Sequence, residues 1–125
     1  MIFGIGTDIV KVVRIQAIYD KFGEKFPRRI LTKRELDMLQ KSRKPVHFLA
    51  KRFAAKEAAA KAMGVGFRDG LVLADIGVVQ DAVGKPMLEF SGRAKQLNDR
   101  NSIKASQLSL ADEDEYAIAF VMLEI

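Results

Sequence analysis

The stretch PVHFLAKRFAAKEAAAKAMG, residues 45–64, constrains the fold more than any other. Alanine is the best helix former, proline suits a first helical turn, and glycine is the usual stop. The spacing predicts a helix over residues 45–63, long enough to be the central element of a 125-residue chain. Leu49, Phe53, Glu57 and Ala60 follow at steps of four, four and three, so they share one face. Glu57 therefore lies on, or at the edge of, the face expected to bury. A carboxylate there needs a partner or a cation, because an unpaired buried charge is costly.

Two readings of Glu57 stand open. Lys61, four residues on, makes an ordinary helix pair, worth about 0.3–0.5 kcal/mol when exposed. The alternative is a hard cation, and a second carboxylate favours it. Asp8 interrupts IFGIGTDIV, which otherwise reads as a buried strand, and aspartate is a poor strand former. A strand-end aspartate bonded to its own backbone is the plain reading of Asp8. Taken together, two isolated carboxylates without histidine or cysteine nearby suit Mg²⁺. That ion takes one or two protein carboxylates and completes its shell with water and phosphate oxygens. Lys56 and Lys61 flank Glu57, as a phosphate-binding site would require.

The remaining segments fill in an α+β pattern. RIQAIYDKFG reads as a helix stopped by Gly23, and Pro27 opens a short irregular or helical piece. Thr32 and Glu35 form a capping-box pattern at the start of another short helix. LVLADIGVVQD and KPMLEF read as strands joined through DAVGKP, and SGRAKQLNDR as a helix with Ser91 as its cap. KASQLSLA and EYAIAFVMLEI read as a closing strand pair around the acidic turn DEDE. The order predicts one domain over residues 1–125, a twisted antiparallel sheet packed with the long central helix.

Composition narrows the chemistry. Absence of cysteine excludes disulfides, zinc–thiolate sites and thiol catalysis, and the single histidine, His47, excludes a multi-histidine metal site. No apolar run approaches the roughly 20 residues of a membrane span, and the N-terminus lacks a basic leader, so a cytoplasmic location is expected. Residues 1–68 carry sixteen Lys/Arg against six Asp/Glu, and residues 69–125 five against ten. Such asymmetry suggests an acidic partner for the first half. A nucleic-acid module is disfavoured, since there is no tryptophan, no RNP-like strand and no glycine clamp, and phosphate-repelling carboxylates would go unexplained.

GIGTDIV at 4–10, RFAAKEAAAKA at 52–62, GKP at 84–86 and LSLADEDEYAIAFV at 108–121 occur in one order along essentially the whole chain. In these pieces the chain resembles the holo-acyl-carrier-protein synthases, small 4′-phosphopantetheinyl transferases. The resemblance implies the corresponding fold and a defined activity. The 4′-phosphopantetheine arm of coenzyme A moves to a serine of apo-acyl carrier protein, and adenosine 3′,5′-bisphosphate is released, in support of fatty acid biosynthesis. It implies Asp8 and Glu57 as Mg²⁺ ligands, with Lys61 beside them at the pyrophosphate. It also implies Gly84, Lys85 and Pro86 lining the nucleotide part of coenzyme A, and a homotrimer with each site between two subunits. Arg52 and Ser109 are further expected contacts to the bound coenzyme; Lys56 and Arg52 either add positive charge beside Lys61 or are solvated helix residues. The serine nucleophile then belongs to the carrier protein, which accounts for the absence of a Ser–His pair here. One departure stands out: Asp112 occupies the place where many members carry histidine, so that histidine's role does not transfer.

Acyl carrier proteins are small and acidic, and residues 21–44 carry nine Lys/Arg against three Asp/Glu. Arg14, Lys25, Arg28 and Arg29 are expected to meet the carrier protein, with Phe22 and Phe26 either anchoring it or serving as core. No nucleic-acid or membrane partner is expected.

Overall fold

The computed structural model of the chain describes residues 1–125. Strand β1 (Ile2–Lys11) leads into helices α1 (Val12–Phe22), α2 (Lys25–Ile30), α3 (Lys33–Gln40) and α4 (Pro45–Met63). A 3₁₀ turn at Leu73–Asp75 precedes strands β2 (Ile76–Gln80) and β3 (Pro86–Phe90). Helix α5 (Gly92–Arg100) and strands β4 (Ala105–Asp112) and β5 (Tyr116–Glu124) complete the chain. The expected α+β order is found, but the strands divide into two antiparallel sheets, β1–β5–β4 and the hairpin β2–β3. The strand expected at LVLADIGVVQD starts only at Ile76, because Leu73–Asp75 wind into the 3₁₀ turn. Ser91 takes the N-cap position of α5 without a side-chain cap bond. At α3 the predicted capping box forms: Glu35 N–H donates to Thr32 Oγ1 and Thr32 N–H to Glu35 Oε1.

Helix α4 runs through the middle of the molecule. Pro45 occupies its first turn and Gly64 ends it in the left-handed conformation, φ 82°. Leu49, Ala50, Ala54, Ala55, Ala58, Ala59, Ala60, Ala62 and Met63 are all buried, so the helix is apolar nearly all round, the pattern of an element enclosed on most sides. The alanines serve close approach by strands. A Cβ on Gly6 would overlap the carbonyl oxygen of Ala58, and one on Gly4 that of Ala62. Only glycine lets β1 lie this close to the helix backbone.

The three-stranded sheet covers α4 with one face, through Val10, Leu108, Ala117, Ala119, Val121 and Leu123. Its other face is open. Ile5 and Ile9 are each 59% exposed, Ile118 41% and Phe120 40%. The register brings Ile9 opposite Ile118 and Thr7 opposite Phe120, so these side chains form one apolar patch. β1 is therefore half-open rather than buried on both faces, contrary to the sequence expectation. The alternation of large and small residues along it marks two different faces, not two buried ones.

Candidate active site

Successive strand residues alternate between faces, so Gly4, Gly6 and Asp8 all point toward α4. The two glycines bring β1 against the helix, and Asp8 reaches the turn carrying Glu57 and Lys61. Lys61 Nζ donates to Asp8 Oδ1 at 3.1 Å and to the carbonyl of Thr7 at 3.0 Å. The expected Glu57–Lys61 pair is thus replaced by a Lys61–Asp8 pair, because β1 lies closer to the lysine head than its own helix neighbour does. Glu57 is left half-buried with no hydrogen-bond or ion-pair partner. Burial first, and then the charge of Asp8, push its carboxyl above the ordinary glutamate range, with Lys61 opposing. This is a pair of neighbouring carboxylates short of positive charge.

On the stripe of Leu49, Phe53, Glu57 and Ala60 the first and last are buried and the middle two are half-buried, so Glu57 lies at the edge of the burying face. From Arg52 to Met63 only Phe53, Glu57 and Lys61 reach solvent, and they follow at steps of four. The alanine faces bury and the Glu57 face opens. Ala60 is 1% exposed, within the core, so no room for a ligand opens on its side of the helix.

Lys56 and Arg52 belong to the interior. Lys56 is fully buried, its Nζ donating to Glu35 Oε1 at 2.7 Å, to the Leu73 carbonyl at 3.2 Å and to the Ile76 carbonyl. It does not flank the carboxylates as a phosphate contact, since one helical position turns the side chain by about 100°. Arg52 is also buried, with Nε 3.3 Å from Glu35 Oε2 and its guanidinium carbon 4.3 Å from the centre of the Phe48 ring. It is engaged with Glu35 rather than free for a phosphate. Desolvation pulls both basic groups below their ordinary range, and the Glu35 carboxylate pulls them back.

Glu35 is the residue that sequence reasoning used only as a cap. It is fully buried, and besides Lys56, Arg52 and the Thr32 N–H it accepts from the Val78 N–H at 3.1 Å. A signal was available: Leu31, Glu35 and Leu39 lie four apart, and both leucines bury.

The remaining expected residues fall in two other places. Gly84 and Lys85 lie in the β2–β3 turn and Pro86 opens β3; Gly84 has φ 85° and Asp81 Oδ1 accepts from the N–H groups of Val83 and Lys85. That turn leans on β4 through Lys85 Nζ and Gln107 Oε1, 3.5 Å apart. Ser109 lies on β4, in register through Phe120 with Thr7 of β1. Strand β5 separates β4 from β1, so these residues sit about 10 Å or more from Asp8 within one chain. Asp112, at the end of β4, pairs with Lys51 at 3.8 Å.

The cationic surface comes together on α1 and α2. Arg14, Lys25, Arg28 and Arg29 are exposed, as is Phe22 at 51%, whereas Phe26 belongs to the core at 9%. Phe22, Phe26, Ile18 and Phe53 line a groove of about 350 Å³ with Lys25 and Arg29 at its rim. Phe53 lies one helical turn from Glu57, roughly 6 Å between Cβ atoms, so the groove opens beside the carboxylates.

The description 4′-phosphopantetheinyl transferase superfamily matches residues 4–121. The chain is 55% identical over 123 residues to a holo-[acyl-carrier-protein] synthase of Nitrosococcus oceani, covering 98% of this chain and 80% of that protein. It is 52% identical to that of Hamiltonella defensa, covering 98% of each. The crystal structure of holo-[acyl-carrier-protein] synthase from Neisseria meningitidis superposes with a TM-score of 0.95 at 45% identity over 100% of both chains. That of a Helicobacter pylori holo-[acyl-carrier-protein] synthase in complex with coenzyme A superposes with 0.84 at 30% identity, covering 96% of this chain and 99% of the other. Glycine-backed strand, open glutamate stripe and cationic groove thus occur on a backbone shared along nearly its full length with these proteins, and the chain belongs to the 4′-phosphopantetheinyl transferase superfamily.

Proposed function

We propose that the chain transfers 4′-phosphopantetheine from coenzyme A to a serine of apo-acyl carrier protein, releasing adenosine 3′,5′-bisphosphate, as a Mg²⁺-dependent cytoplasmic enzyme serving fatty acid biosynthesis. The observation that carries this reading is Glu57: half-buried, unpartnered, beside Asp8 and Lys61, and one turn from a cation-rimmed apolar groove. Two hard oxygen donors, with no cluster of three or more His, Cys, Asp or Glu, fit Mg²⁺ better than zinc or a redox metal. Asp8 and Glu57 would hold the ion, and its positive charge would offset both the burial and the Asp8 charge that raise the Glu57 pKa. When bound, Mg²⁺ supplies Lewis-acid charge at the pyrophosphate.

The protein's own groups do the positioning on which phosphoryl transfer depends. Lys61, 53% exposed and already turned to Asp8, places a cation where the pyrophosphate lies. Arg14, Lys25, Arg28 and Arg29 attract an acidic carrier protein, and the groove from Phe22 to Phe53 takes its apolar side chains, bringing the serine toward Glu57. The serine Oγ–phosphorus bond forms as the pyrophosphate P–O bond breaks. The serine proton leaves to water, since a carboxylate engaged with a cation is a weak base.

The active assembly in this reading is a homotrimer. Two observations support it: the apolar outer sheet face around Ile5, Ile9, Ile118 and Phe120, and the position of Gly84–Pro86 and Ser109 at the opposite edge of the sheet from Asp8. A neighbouring copy would bring the second set to the first and cover the patch. The test is intact-mass spectrometry of apo-acyl carrier protein incubated with the protein, coenzyme A and Mg²⁺. The carrier gains one phosphopantetheine mass with the wild type and none with folded Asp8→Ala or Glu57→Ala. No added mass with the wild type refutes the activity, and retained activity in both variants refutes the ligand assignment.

A further inference from the structure

The buried cluster of Glu35, Lys56 and Arg52 is the largest investment of charge in the interior, and the transfer chemistry makes no use of it. Helix α4 touches it on the side away from β1. Lys56 Nζ is tied to three acceptors on two other segments: Glu35 Oε1 on α3, and the carbonyls of Leu73 and Ile76 around the start of β2. Glu35 is itself held by the Thr32 and Val78 N–H groups. On the β1 side the backbone contacts of Gly4 with Ala62 and Gly6 with Ala58 fix how near the strand lies. Alanine surfaces are smooth, however, and resist rotation of a helix about its own axis poorly. A buried ammonium with three directional acceptors resists it well.

The residue after Lys56 is Glu57. A carboxylate about 6 Å from the helix axis moves about 1 Å for every 10° of rotation. A displacement of that size is enough to cost about 100-fold in a positioned reaction. We propose that the Glu35–Lys56 pair, backed by Arg52, is a positioning element that fixes the rotation of α4 and so aims Glu57 at Asp8. The inference rests on the reading of Asp8 and Glu57 as a divalent-cation site.

The test uses Lys56→Met, which keeps the chain length and leaves Glu35 with Arg52 and two N–H donors, and Glu35→Gln, which keeps the volume and one carbonyl acceptor for Lys56. Mn²⁺ binding is followed by electron paramagnetic resonance, kcat and KM for coenzyme A are measured at saturating Mg²⁺, and the thermal transition is recorded, all below that transition. The expected result is Mn²⁺ affinity weakened at least tenfold and kcat lowered about 100-fold, with a smaller change in KM, in each variant that folds. Lys56→Arg is expected to recover part of both losses. A folded variant with a lowered transition but wild-type Mn²⁺ affinity and kcat overturns the proposal, since a purely structural pair would behave that way. Glu57→Gln separates the two readings. If it abolishes Mn²⁺ binding while Lys56→Met and Glu35→Gln do not weaken it, the positioning role alone falls. If Glu57→Gln binds Mn²⁺ as the wild type does, the cation site itself falls.

Discussion

Gly6→Ala is the smallest change that should separate β1 from α4. The added methyl overlaps the carbonyl oxygen of Ala58 and approaches the Ala62 nitrogen to 2.8 Å. Both obstacles are backbone inside a regular helix, so neither moves aside alone; strand and helix must part by about 1 Å to restore ordinary contact. Overpacking of this kind typically costs about 1–3 kcal/mol. The upper half of that range applies here, because the residues on both sides, Ala58 and Ala119 among them, are completely buried. For a chain of this size about 2–3 kcal/mol corresponds to roughly 8–12 °C in Tm. Asp8 sits two residues along the same face, so the same shift should separate it from Glu57 and weaken the proposed divalent site. Differential scanning calorimetry, with and without Mn²⁺, measures both effects: a lower Tm in the apo protein and a smaller rise on adding the ion. Ala58→Gly in the Gly6→Ala background should not recover the loss, because the obstacle is the carbonyl and not the Ala58 side chain. A wild-type Tm for Gly6→Ala, or recovery by Ala58→Gly, would refute the backbone-contact argument.

Three further outcomes are expected. Because the folded-state pKa of Glu57 is raised, the native protein binds more protons than the unfolded chain between the ordinary glutamate pKa and the raised value. This group's effect on stability therefore becomes less favourable as pH rises through that window; Glu57→Gln should raise the apo Tm near pH 7 and flatten that part of the Tm–pH curve, and a lower Tm would contradict the unpartnered carboxylate. Arg28→Glu should weaken carrier-protein binding about tenfold in low salt and clearly less in 0.5 M salt, as expected of exposed charges, read by isothermal titration calorimetry. In the proposed homotrimer Phe120 lies on the covered sheet face, so Phe120→Asp should lower the sedimentation coefficient to that of a monomer while leaving the helical circular dichroism intact; an unchanged coefficient, or a wild type that already sediments as a monomer, would refute that assembly.

The long helix, its two ends and the capping box at Thr32 were legible in local sequence, because propensity, proline, glycine and short-range capping bonds act within a few residues. So was the oddity of Asp8 and Glu57, since a carboxylate amid apolar residues is conspicuous without coordinates. Whether Glu57 lay on the burying face of α4 or at its edge was not legible, because periodicity assumes that one side of a helix is wet. Here strands and helices enclose it, and Glu57 lies on the stripe that remains open. Lys56 and Lys61 looked alike in sequence, both neighbours of Glu57. One ends at Glu35, twenty-one residues earlier in the chain, and the other at Asp8, fifty-three residues earlier.

The sequence by itself determined most of the secondary elements, the family resemblance and the two carboxylates on which the proposed site rests. Only the tertiary structure decided which lysine reaches Asp8 and which serves the core, that the glycines of β1 bring Asp8 to α4, and that Gly84–Pro86 lie on the far side of the sheet. The physical reason is range. Helix propensity and capping are settled among near neighbours, whereas a buried ion pair or a strand-to-helix contact exists only after chain segments dozens of residues apart have packed.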